Sequence, residues 1–562
     1  MIAVWGREGL MFDSLHARVR RFRSCWMILG GLMYATCGMP AAPQVPAPGA
    51  AAAPASTDIA TYHNDNFRSG QNLQETILTQ ANVNSTTFGK LFSVSVDTTI
   101  DAEPLILSSL SIGGINHNVL YAVTEGDTVY AFDADSGASL WHVSVLGSGE
   151  TPSDTRRCSQ IEPKIGITST PVIDRQSGPH GTIYVVGMSK DSAGNYYQRL
   201  HALDLTTGAE EFGGPVTVQA QYPGSGDNSI NGYVVFDAKQ YAERAGLLLV
   251  NHVIYTAWTS HCDFRPYTGW VIGYREDNLA QTSVLDVTPN GSEGAIWQTG
   301  DGLASDTAGN IYFLDANGTF DTALNAQGFP SMGDYGNAVV KLSTTNHQLA
   351  VADYFNMHNT VSESDADEDL GSGGILLLPP LQDSNGMMQN LAIGAGKDGN
   401  IYIVNRSNLG KFNSNNDNAI YQKVDGALSG GEWSMPAYFH GNVYFGPSGN
   451  NLLQFRFTNA RLSTSPASRS AASFTYPGST PSVSANGSNN GIVWAIEHTN
   501  TSVLHAYNAL NLGTELYNSN QASGGRDHFG SASHFGTPAI INGKVYVGTT
   551  TGIAVFGLLD SK

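Results

Sequence analysis

One phrase returns along this chain and limits what it can fold into: an aromatic residue inside a β-branched run. It reads VLYAVT at Tyr121, TIYVVG at Tyr184, VIYTAW at Tyr255, NIYFLD at Tyr312, NVYFGP at Tyr444, IVWAIE at Trp494 and KVYVGT at Tyr546. The steps are 63, 71, 57, 132, 50 and 52 residues, and the long one holds a unit that has lost its aromatic, placed at NLAIGAG (390–396). An apolar strand precedes each phrase, often after Thr-Pro, and another follows it. Period-two alternation between Gly/Asn turns reads as strands throughout, with no amphipathic helix. First strands fall near Glu103, Ser169, Ala245, Gly302, Gly373, Trp433, Ser479 and Gly536. The last unit stops after its third strand, at Leu558, while a spare strand, KLFSVSV (90–96), lies ahead of the first unit. A four-stranded sheet cannot bury both faces alone, so such units stack about an axis, and joining the ends protects the edges. The expectation is all-β: over 58–562, a single eight-bladed β-propeller of four-stranded antiparallel blades, closed by the N-terminal strand joining the C-terminal blade. Charged residues are 14% of the chain, against roughly 25% in an average soluble protein, which suits many turns and few helices.

Two turns share a signature. AFDADSGASLW (131–141) fits A-x-D-x-x-[ST]-G-x-x-x-W; ALDLTTGAEEF (202–212) fits with Phe212 in the last place; AYNALNLGTELY (506–517) is a looser copy. Its physics is structural. Asp133 and Asp204 can accept turn N–H groups, Gly137 and Gly208 can take positive φ, and Trp141 and Phe212 can pack between blades. This resembles the blade signature of the PQQ-repeat, or quinoprotein-like, propellers, over residues 60 to 558. YHNDNFRSG (62–70) resembles the segment ahead of the closing strand in such propellers, with Arg68 as a structural tie. The quinoprotein dehydrogenases within the resemblance carry adjacent cysteines over the quinone, a calcium ligand set and a catalytic Asp. This chain has no Cys-Cys pair and no CxxCH motif, so PQQ is not expected to bind.

Long connections crowd one face: those from second to third strands and those between blades. They include 147–166, 260–269, 317–337 and 356–374. Long loops on a rigid scaffold are where binding sits, so a protein or glycan partner is expected there. Cys158 and Cys262 fall in adjacent loops of this face and are expected to form a disulfide. His261 beside Asp263 is the candidate for acid–base chemistry, weighed against ordinary loop packing. The candidate calcium ligands are Asp315, Asn317 and Asp321 in one loop and Asp365, Asp367 and Asp369 in another. Ca²⁺ takes six to eight hard oxygens, but the spacing completes no EF-hand, and a solvated acidic loop is the competing reading.

The N-terminus reads as an export signal over 1–38: Arg18, Arg20, Arg21 and Arg23, then the apolar run 25–35, then small residues. Cys37 is a candidate lipid anchor, although YAT before it matches a lipobox poorly. A Pro/Ala-rich linker covers 39–57, and the mature chain is expected to lack a membrane span. The chain should therefore be exported to a periplasmic, secreted or outer-membrane-associated location. The net charge is −20, and −23 without the leader, which excludes a nucleic-acid partner. Three functions fit: a non-catalytic binding or scaffold ring working through its long loops, a PQQ- and calcium-dependent dehydrogenase of alcohols or sugars, or a polysaccharide-active hydrolase or lyase.

Overall fold

The computed structural model describes residues 58–560; the expected export signal and linker, with Cys37, lie outside them. Each repeat unit forms a sheet whose strands follow one another in chain order. The first holds Leu105–Ile112, Ile115–Thr124, Thr128–Asp133 and Ser139–Ser144. The fourth holds Ala304–Ser305, Ile311–Leu314, Ala338–Ser343 and Ala350–Asn356. The unit without its aromatic forms a full sheet around Leu391–Ala395, in the expected place. The last repeat supplies Ala539–Ile541, Lys544–Gly548 and Gly552–Leu558, and its outer partner is Phe88–Ser95. That pairing is antiparallel, with Lys90 opposite Phe556 and Val94 opposite Ile553. A three-stranded sheet at 221–235, unanticipated in the sequence, fills the connection between the second and third units.

Apolar cores lie between consecutive sheets. Tyr255 and Phe313 share one core, and Ile403 and Phe445 share another. Ile541 and Val555 of the last sheet share one with Leu105 and Val119 of the first. The repeated tyrosine does more than fill them. In four of the six repeats that carry it, its hydroxyl donates to a carbonyl just past the third strand of the next sheet, whereas Tyr312 donates to Asp306 and the Tyr255 hydroxyl has no partner among the described residues. The four include Tyr121 to Leu205 at 2.8 Å, Tyr184 to Glu276 at 2.9 Å and Tyr444 to Ala509 at 2.6 Å. Tyr546 of the last sheet reaches Ala134 of the first at 3.4 Å. The signature residues act as read. Asp133 accepts from Ser136 N–H, Gly137 has φ +75°, and Trp141 Nε1 donates to Leu205 O at 3.0 Å. Asp204 and Gly208 repeat the turn, and Phe212 packs into the next core.

Residues 59–72 visit the first strand of each repeat unit's sheet in order. Ile59 pairs with Ile106, and Ala60 O accepts from Ile173 N–H. Asn66 reaches Leu249 through its side chain and Ser305 through its carbonyl. Phe67 O, Ser69 O and Gly70 O accept from Leu377, Tyr438 and Val483, and Asn72 Nδ2 donates to Ile540 O. The segment holds a tight turn. Gly70 has φ +65°, and a Cβ there would lie 2.3 Å from the His63 ring, so only glycine fits. Arg68 is the tie the sequence suggested. It is wholly buried and donates to Leu303 O, Thr61 Oγ1, Tyr62 O and Leu247 O.

Candidate functional site

A pocket opens on the long-loop face, built from the connections between sheets and from those joining second to third strands. Arg244, beside the start of the third sheet, lines it and is buried at 3% exposure. Its guanidinium lies 4.5 Å from the Phe535 ring centroid and 5.6 Å from that of Trp297, so the cation is held against both aromatic rings. Nη1 donates to Gln160 Oε1 at 2.9 Å, and buried Nε has no partner. Among the described residues, no carboxylate lies within ion-pair distance of this guanidinium. Burial lowers its pKa. Trp433 and Tyr476, 5.6 Å apart and edge to face, form an aromatic rim.

The second cation is Lys397. Its Nζ lies 2.7 Å from Asp367 Oδ1 and 2.6 Å from Asp369 Oδ1. Asn317 Nδ2 donates to Asp367 at 2.8 Å. Burial pushes Asp369 up to about 6, with Lys397 pulling the other way. Of the calcium candidates, Asn317, Asp367 and Asp369 therefore come together, and an ammonium occupies the space between the two carboxylates. Asp315 is buried with its pKa raised by desolvation. Asp321 accepts from Ala323 and Met332 N–H within its own loop, and Asp365 ends the short helix Thr360–Asp365, facing an outer groove. The competing reading of that stretch as a solvated loop is corrected in part: the short helix turns Glu363 inward, and Asp369, beyond the helix, is buried against Lys397. Among the described residues, no set of three His, Cys, Asp or Glu side chains is arranged to hold a metal.

Cys158 and Cys262 form the expected disulfide, with Cα atoms 5.5 Å apart. Both flank the pocket: Gln160 follows Cys158 by two positions, and Asp263 follows Cys262. His261 and Asp263 do not pair. Burial lowers His261 to about 4, so it is neutral, and its Nε2 has no partner. Asp263 instead accepts from the Tyr267 hydroxyl at 2.7 Å. Changing both cysteines to serine should cost about 4 kcal/mol, since the bridge closes a loop of 104 positions. The ring ties elsewhere should still let the protein fold, with a lower midpoint in urea.

Arg244 escaped the sequence reading because it sits in a connection that does not repeat. Its signal was faint: a basic residue in YAERAGLLLV, one position ahead of an apolar run.

No protein-family model and no curated protein sequence matches the chain. Solved structures do. The quinohemoprotein alcohol dehydrogenase ADHIIG of Pseudomonas putida HK5 superposes at TM-score 0.59 with 13% identity, covering 90% of this chain and 81% of its own. The quinohemoprotein alcohol dehydrogenase of Comamonas testosteroni gives the same figures. A europium-containing methanol dehydrogenase reaches TM-score 0.58 at 12% identity, over 89% of this chain and 98% of its own. The fold is that of the quinoprotein propellers. Among the described residues no helix is long and apolar enough to cross a membrane.

A quinone does not fit this chain's pocket as built. The Arg244 guanidinium lies over the Phe535 ring, the acid pair holds Lys397, and the free space is about 50 Å³. That volume accommodates a few waters or a small anion rather than a fused tricyclic.

Proposed function

We propose that this protein is an exported, closed eight-bladed ring that works by binding, without catalysis, and that its long-loop mouth takes a small organic carboxylate. Closure is supported by the Phe88–Ser95 pairing, by the 59–72 segment meeting each first strand in turn, and by Tyr546 making across the seam the contact its counterparts make elsewhere. Tyr546→Phe should accordingly cost about 1 kcal/mol in thermal unfolding, as should Tyr121→Phe. A neutral Tyr546→Phe beside a costly Tyr121→Phe would count against the seam. The Cys158–Cys262 bridge supports an oxidising location.

One observation carries the ligand: a buried guanidinium with no carboxylate partner and a free Nε at the edge of a pocket. A guanidinium fork is matched by a carboxylate, and such charge-assisted bonds are the strong ones. Calorimetric titration with acetate and pyruvate tests it. Binding is expected, and Arg244→Met should weaken it at least tenfold, with Arg244→Lys recovering part. No binding of either anion, or binding indifferent to Arg244→Met, would remove the proposal. Dye reduction with an alcohol after loading with PQQ and Ca²⁺ would instead make the ring an oxidoreductase like its structural neighbours.

A further inference from the structure

A second cleft opens beside the carboxylate pocket, and Gln160 lines both. The cleft is the roomier, at about 270 Å³. Asp101 and His498 stand in its wall, with Thr499 and Asn500 exposed at its rim. Short hydroxyl side chains, among them Thr99, Ser159 and Thr550, supply much of the rest, and its described lining includes no Lys or Arg. His498 is 8% exposed and its Nδ1 has no hydrogen-bond partner. Burial lowers its pKa to about 3, so this nitrogen is a neutral donor or acceptor according to tautomer.

The chemistry of this wall favours a neutral polyhydroxyl surface. An anion lodged in the cleft would meet Asp101 and Glu162, and the lining sets only the His498 and His534 imidazoles, no Lys or Arg, against them. A cation would find Asp101 already biased toward its protonated form by burial and set near the Arg244 charge. A hydroxyl both donates and accepts, as do hydroxyl, carboxamide and imidazole partners. Gln160 joins the two regions: its oxygen is held by Arg244, which leaves its amide nitrogen to donate.

We infer that the pocket and cleft together take one sugar acid, a uronate residue free or at the end of an acidic glycan, with its carboxylate on Arg244 and its hydroxyls over Gln160 and against His498 and Asn500. This rests on the carboxylate site proposed above and adds the class of molecule that bears the carboxylate.

The test titrates the full chain with glucuronate, acetate and glucose. Glucuronate is expected to bind at least tenfold more tightly than acetate. Asn500→Ala and His498→Ala should each weaken glucuronate about fivefold and leave acetate unchanged, while Arg244→Met weakens both. Asn500 is exposed, so its variant reports on binding even if His498→Ala is poorly folded. Acetate binding with glucuronate no tighter, or with neither cleft variant affecting glucuronate, overturns the sugar-acid assignment and leaves the carboxylate site standing. Loss of acetate and glucuronate alike overturns both.

Discussion

Replacing Arg68 with alanine is expected to cost at least 5 kcal/mol and to leave little folded protein at 37 °C. The side chain spends four of its five N–H donors inside the molecule, on Leu303 O, Thr61 Oγ1, Tyr62 O and Leu247 O. Truncation would strand those buried acceptors, at about 1–3 kcal/mol each when water cannot reach them, and open a cavity the size of the lost side chain. Two of the carbonyls belong to the third and fourth sheets, so the loss falls on the junction of separate sheets rather than within one. Arg68→Lys should recover little. It keeps the charge but cannot present the same fork, and burial already lowers the arginine's own pKa to about 10. Chemical unfolding of the two variants checks this; a midpoint shift under 1 kcal/mol for the alanine variant would contradict the role given to Arg68.

Raising the pH from 6.5 to 9 should destabilise the protein by about 6 kcal/mol, through three acids. Glu103, Glu243 and Glu432 are almost wholly buried, and desolvation pushes each up to about 8. Their unfolded values lie near 4.3. The folded form thus holds protons that the unfolded form has released, and stability falls as pH rises through the folded pKa, by about 2 kcal/mol per group over this range. The window matters. Buried His63 and His498, lowered to about 4 and 3, act in the opposite sense, but only below their unfolded value near 6.5. Differential scanning calorimetry across the range should show a steadily falling midpoint. Glu103→Gln with Glu432→Gln should flatten much of that fall, because the amide mimics the protonated acid. A flat profile in the unaltered protein would mean these groups are ionised inside.

The fold could be read in the chain because it is built by repetition. Tyr121, Tyr184, Tyr444 and Tyr546 recur because each does the same job at the same kind of junction, and repeated jobs leave periodic marks. Arg68 and the Cys158–Cys262 bridge were also legible, the first from its setting and the second because few cysteines remained to be paired. The mouth was not legible, for the converse reason. Arg244, Gln160 and Phe535 are single residues in connections of different sequence, brought together only by the curvature of the whole. The acidic run misled in a related way. Its composition suggests a metal, but its counter-charge, Lys397, arrives from the second-to-third-strand connection of the next sheet, which local reading cannot see.

The 59–72 segment has a consequence for the order of events in folding. It is among the first parts of the described chain to be synthesised, yet its partners extend to Val483 and Ile540. Contacts of such long sequence separation form late and slowly. A growing chain must therefore hold this segment unsatisfied until nearly the last strand exists, and any protease or chaperone along the route meets that stretch bare.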